Sequence, residues 1–171
     1  MAPDLRVLRG RFLPWLLAAL MAALAILFAV LWRSEGADDR RRAEVEASAS
    51  GFLRALTNFS AETIDRDVER IRGFAVGRFA DELDQTFSPD RVQAIKDQQA
   101  ASTGRIQSLF VQEIEEDTTT VFAVVAETVT NDQTESPRQD TLRMELGMIE
   151  TAEGWKAERL TLLQTPATPP A

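Results

Sequence analysis

Residues 141–150, Thr-Leu-Arg-Met-Glu-Leu-Gly-Met-Ile-Glu, decide the fold. Leu142, Met144, Leu146 and Met148 alternate with Arg143, Glu145 and Gly147, so an extended chain here puts one face into a core and leaves the other wetter. Just upstream, residues 120–129 (TVFAVVAETV) are apolar on both faces and read as a central strand. The same period of two predicts four strands in succession, over residues 104–115, 119–129, 141–150 and 154–163. Only short connections separate them (116–118, 131–137 and 151–153), which makes each an antiparallel neighbour of the next.

Before residue 101 the period is that of a helix. Between 43 and 57, Val45, Ala49, Phe52, Leu53 and Leu56 recur at spacings of three and four along one face. Only Gly36 argues against this helix running back further. Asn58-Phe59-Ser60 reads as a turn. A second helix is expected over 65–73, with Ile64, Val68 and Ile71 inward and Asp65 and Asp67 serving its positive end. A third, over 78–86, places Phe79, Leu83 and Phe87 on one side. Ser88-Pro89 suits a cap followed by a first helical residue, and opens a fourth helix over 89–100. Helices followed by an antiparallel meander give an α+β domain, with the helices laid on one face of a four-stranded sheet.

Towards the N-terminus lies a different kind of segment. Residues 12–32 (FLPWLLAALMAALAILFAVLW) are 21 apolar residues without a charge. A helix of about 20 residues spans a bilayer core. Trp15 and Trp32 stand near its ends, where aromatic rings prefer the headgroup level. The run exceeds the apolar part of a signal peptide and ends without a small-residue cleavage site, so a retained anchor is expected. The small residues Ala18, Ala19, Ala22 and Ala23 would allow close packing on other membrane helices. Arg6, Arg9 and Arg11 precede the run, and Arg33 with Arg40-Arg41-Arg42 follows it. An eleven-residue tail cannot form a domain, so the reading is a cytoplasmic tail at 1–11 and a transmembrane helix at 12–32. A juxtamembrane segment at 33–42, an extracytoplasmic domain at 43–164 and a disordered tail at 165–171 follow.

Composition narrows the function. Twelve of the 19 Lys and Arg residues and 23 of the 27 Asp and Glu residues lie after Arg42, a net of −11. A domain so acidic repels phosphate backbones, which argues against nucleic acid as a partner. The chain has no His, Tyr or Cys. General acid–base chemistry would then rest on Asp, Glu or Lys with shifted pKa values, and the acids mostly lie in polar runs such as residues 113–117. No phosphate loop, nucleophile elbow or metal-ligand spacing is present. No catalytic, cofactor-binding or metal residue is assigned.

The order of elements resembles the Mce-associated membrane proteins of actinobacteria. The apolar anchor is followed by FLRALTNFS, TIDRDVERIRGFAVGRF, VQAIKDQQAASTGRI, TVFAVVAETVTND, TLRMELGMIE and EGWKAERL. Gly77-Arg78-Phe79, Val129-Thr130-Asn131, Arg143 and Gly154-Trp155 match best. The resemblance spans about residues 12–164, through motifs that are short and degenerate. It implies an extracytoplasmic domain of the nuclear-transport-factor-2-like (NTF2-like) type, a cone of helices against a curved sheet. It also implies a non-enzymatic accessory role at an Mce lipid-import complex, with Mce transporter subunits, the membrane and lipid as partners and no cofactor. An assembly or scaffold component of a type IV secretion machine has the same anchor-plus-cone layout and stays open as the alternative. A small hydrophobic-ligand-binding protein or enzyme ranks below both, because His and Tyr are missing.

For a ligand-holding cone, the candidate lining is Phe79, Phe122, Leu142, Met144, Leu146 and Trp155. The same aromatics spread over every element and read first as core. Residue types alone leave both readings open.

Overall fold

The computed structural model describes Met21 and residues 38–133 and 136–163. The chain divides into two compact units, 1–41 and 42–171. Of the first, Met21 and residues 38–41 are described, and they are helical. The expected membrane helix and its packing residues Ala18, Ala19, Ala22 and Ala23 lie outside the described residues, as do the 1–11 tail and the 165–171 tail. Among the described residues no helix is long and apolar enough to cross a membrane.

Helix α1 covers residues 38–57. It leads into the two-residue strand β1 (Phe59–Ser60), then α2 (Ile64–Arg72), α3 (Gly77–Thr86) and α4 (Pro89–Asp97). Four long strands complete the unit: β2 (Ala101–Val111), β3 (Thr118–Thr130), β4 (Arg138–Thr151) and β5 (Gly154–Leu162). They form one antiparallel sheet in the order β1-β2-β3-β4-β5. The expected four-stranded sheet therefore has five strands. Phe59-Ser60 is too short to carry a period, and it pairs through Ser102 and Ala101, about forty residues away in sequence.

Alternation sets which face is buried. Val121, Ala123 and Val125 of β3 stand opposite Leu146, Met144 and Leu142 of β4, and all six point to the helices. Against them α1 lays Val45, Ala49, Phe52 and Leu53, α2 lays Ile71, and α3 lays Phe79 and Leu83. Burying a side chain of this size stabilises a fold by about 1.5–3 kcal/mol relative to exposure, which is why these stripes decide the packing. Shifts of register at Ile106/Ser108 and Gly147/Met148 interrupt the ladders. Such bulges add local twist and bend the sheet around the helices.

Both edges of the sheet are closed by other means than a full strand. On the β2 side, β1 pairs with two residues only. Beyond it, Asn58 uses its side-chain amide as a substitute backbone, accepting from the Gly104 N–H at 3.2 Å and donating to the Gly104 carbonyl at 3.3 Å. Further on, Arg42 Nη1 donates to the Val111 carbonyl at 2.7 Å. On the β5 side, the connector after α2 lies parallel to the strand, with Ala157 N–H donating to the Phe74 carbonyl and Val76 N–H to that of Ala157. An open edge invites pairing with other chains, and these contacts occupy part of each edge's donors and acceptors and so oppose it.

Two sequence readings change in detail. Ser88 occupies the position before α4, and Pro89 its first turn, but the Ser88 side chain makes no cap hydrogen bond. Asp65 and Asp67 both fall in the first turn of α2, yet they serve different partners. Asp65 takes Lys96 Nζ of α4 at 2.7 and 2.9 Å. Asp67 is buried and accepts from Thr63 Oγ1 at 2.5 Å and Arg70 Nη2 at 2.6 Å.

Candidate functional site

The concave side of the sheet is where this architecture would hold a ligand. Its lining comes from β3, β4 and β5 on one wall and from α1 and α3 on the other. The structure brings Phe79, Met144, Leu146 and Trp155 together there, all buried within one cluster, with Leu142 packed against it from a half-buried position. Phe122 is not with them. It alternates out of phase with the buried Val121 and Ala123, stands opposite Glu145 and Phe110, and therefore lies on the other face of the sheet. The period of residues 120–129 could not choose its face, because both faces of that strand are apolar.

Side chains pack tightly in this interior. The Phe52 ring meets Phe79 edge-on at 5.9 Å and Phe74 at 6.3 Å, geometries that aromatic pairs favour. The Trp155 carbonyl accepts from Ser48 Oγ at 2.5 Å, which ties the start of β5 to α1. Among the described residues the buried polar ones are Thr57, Asp67, Ser102 and Thr119. Each hydroxyl is used structurally: Thr57 Oγ1 donates to the Leu53 carbonyl, Ser102 Oγ bonds the Thr57 carbonyl and Glu127, and Thr119 Oγ1 bonds the Gln112 and Glu113 carbonyls. Asp67, the one buried acid among the described residues, is committed to Thr63 and Arg70. General acid–base work needs a group within reach of a bound substrate. The hydrogen bonds of Asp67 instead join α2 to the turn that precedes it.

Three grooves open on the surface of the described residues. One groove of about 380 Å³ runs beside Phe74 and Trp155 and includes Glu44, Glu153 and Lys156. A groove of about 220 Å³ is lined by Glu113, Glu115, Glu158 and Arg159, so the acidic run 113–117 contributes to a polar cleft at the β2–β3 turn. A third, of about 530 Å³, lies along α1 and the start of β2, where Arg54, Arg70 and Arg105 line it around Phe74 and Ile106. Nothing local in the sequence groups those arginines, because only the pairing of β2 beside the end of α1 brings them to one place. Among the described residues no group of three or more acidic, His or Cys side chains is placed to hold a metal ion.

No protein-family model matches this chain, and no curated protein matches it. Its fold does match solved structures. VirB8 of Agrobacterium tumefaciens is similar at a TM-score of 0.60 and 11% identity, covering 75% of this chain and 96% of that one. An IcmL-like type IV secretion system protein of Legionella pneumophila is similar at 0.59 and 14% identity, over 76% and 96% of the two chains. A protein assigned as an aromatic ring hydroxylase, from Novosphingobium aromaticivorans, is similar at 0.52 and 15% identity, over 72% and 92%. The expected NTF2-like domain is thus present in its coarse form, a curled antiparallel sheet with helices on one face. The Mce-associated part of the expectation finds no support in these likenesses. At such identities they establish a shared fold alone: this chain has the NTF2-like α+β fold, which is also that of VirB8, of the IcmL-like protein and of the protein assigned as a hydroxylase.

Proposed function

We propose that this protein is a non-enzymatic assembly subunit, anchored by residues 12–32, that works by protein–protein contact within an envelope-spanning machine of the type IV secretion kind. The packed interior carries this reading. In an NTF2-like enzyme the concave face supplies room and titratable groups. Here that face is filled by Phe52, Phe79, Met144, Leu146, Met148 and Trp155. The absence of His, Tyr and Cys from the sequence supports it further. The fold likeness to VirB8 and the IcmL-like protein, over three quarters of the chain, favours a secretion-type machine over the Mce importer. A tethered domain needs only weak individual contacts, since confinement raises its effective concentration.

The test is a deletion that keeps the anchor. Cells in which residues 42–171 are removed and 1–41 retained should lose assembly of the envelope complex, read by native gel electrophoresis of solubilised membranes. Full assembly without the domain contradicts the proposal. Loss of lipid uptake with intact secretion would move the assignment to the Mce reading.

A further inference from the structure

Charge is unevenly spread among the three grooves described above. The 220 Å³ groove contains three glutamates and the 380 Å³ groove two, each with a single cation. The 530 Å³ groove contains Arg54, Arg70 and Arg105 and no acid at all. This contrast runs against the composition of the unit that carries it, in which acids outnumber bases nearly two to one. Arg70 shares the buried Asp67 and reaches the Asn58 carbonyl at 3.5 Å. Arg54 and Arg105 are exposed and make no ion pair among the described residues. Most other arginines here are engaged: Arg42, Arg72, Arg78, Arg138 and Arg159 each have a carboxylate or carbonyl partner.

Apolar surface lies within the same groove. Phe74 and Ile106 are half-buried in it. Gly51 leaves the helix surface bare beside the Phe74 ring, which sits where a Cβ at that position would go. The groove therefore offers the unpaired guanidinium groups of Arg54 and Arg105, beside the Asp67-paired Arg70, around a patch that would take one or two hydrophobic side chains.

We infer that this groove docks a short acidic segment of a protein partner, with its carboxylates on Arg54, Arg70 and Arg105 and an interleaved aromatic or aliphatic side chain on Phe74 and Ile106. The inference rests on the assembly reading, since it names what one partner presents. Arginine suits this because its planar fork pairs with a carboxylate through two parallel hydrogen bonds. The groove's open shape fits an extended segment better than a small ligand, which needs most of its surface enclosed. A polynucleotide is the poorer occupant. Its charge continues past the groove into an acidic surface that repels it.

The experiment uses the full chain in detergent and a fluorescein-labelled hexapeptide, Glu-Phe-Asp-Glu-Leu-Asp, read by fluorescence anisotropy at 50 and 300 mM salt. Binding should weaken at the higher salt and be at least tenfold weaker for the isosteric Gln-Phe-Asn-Gln-Leu-Asn peptide. The double variant Arg54→Glu with Arg105→Glu should weaken it at least tenfold. Arg66→Glu with Arg91→Glu carries the same change of net charge away from the groove and should leave it within twofold. If the first pair lowers the melting temperature, Arg54→Gln with Arg105→Gln replaces it, with the same direction expected. Equal loss in both pairs, or no binding by the unaltered chain, overturns the inference. So does tighter binding of a ten-nucleotide oligothymidine. In cells, loss of one cross-linked partner from the groove variant alone supports it. An unchanged set of cross-linked partners refutes the groove while leaving the assembly reading standing.

Discussion

The Thr57 hydroxyl, at the last turn of α1, fills the space in which a side chain at Gly104 of β2 would begin. Thr57 is 2% exposed and its Oγ1 is held by the Leu53 carbonyl at 2.7 Å, so it cannot swing aside. The glycine thus sets how closely α1 approaches the edge of the sheet. Gly104→Ala should destabilise the protein by about 1–3 kcal/mol, the usual cost of overfilling a packed contact. Chemical denaturation followed by circular dichroism measures this, and an unchanged midpoint would show that the helix end moves freely.

The closure of the β2 edge makes a second prediction. Arg42→Ala removes the donor to Val111, and Asn58→Ala removes both bonds to Gly104. Each should cost about 0.5–1.5 kcal/mol, the net worth of a hydrogen bond or two. The double variant should also form higher oligomers at raised concentration, because the freed edge can pair with a second chain. Light scattering against concentration measures the second effect, which a purely local role for these side chains would not produce.

The two faces of the sheet should respond differently to truncation. Trp155 is 4% exposed and belongs to the core, so Trp155→Ala should cost about 3–5 kcal/mol. Phe110 is 64% exposed on the opposite face, and Phe110→Ser should stay within about 0.5 kcal/mol. Thermal melts of both variants check the assignment of faces. Comparable losses would mean that the outer face is covered in the folded protein.

Asp67 tests whether a buried carboxylate here is structural. Asp67→Ala leaves the Thr63 hydroxyl and the Arg70 guanidinium without their acceptor, and should cost about 1–3 kcal/mol. Hydrogen exchange should show the loss first in α2 and the turn at 61–63 that precedes it.

The strands and helices were legible because most repeat over enough residues for their periods to show. Helices α2 and α3 begin one residue before their expected starts, at Ile64 and Gly77, and β5 runs from Gly154 as expected. What escaped depended on distant partners. Phe59-Ser60 becomes a strand only through Ala101 and Ser102, which also draw the start of β2 three residues earlier than Gly104. Gly104 reads in sequence as a strand boundary, yet pairing back to Ala101 puts it inside β2, where the nearness of Thr57 leaves no space for a side chain. Phe122 faces away from the cone because the register with β4 turns Val121 and Ala123 inward, a choice that residues 121–126, apolar on both sides, do not show by themselves. The Arg54–Arg105 groove was invisible for the same reason: α1 and β2 are far apart in sequence, and only the register of the fold joins them.

In-cell cross-linking of the full chain, followed by mass spectrometry of what is covalently attached, tests the central claim most directly. The account predicts structural components of a secretion-type envelope complex, joined through side chains of residues 42–163. Recovery of Mce transporter subunits instead, or of no envelope protein above a control carrying residues 1–41 alone, would contradict it.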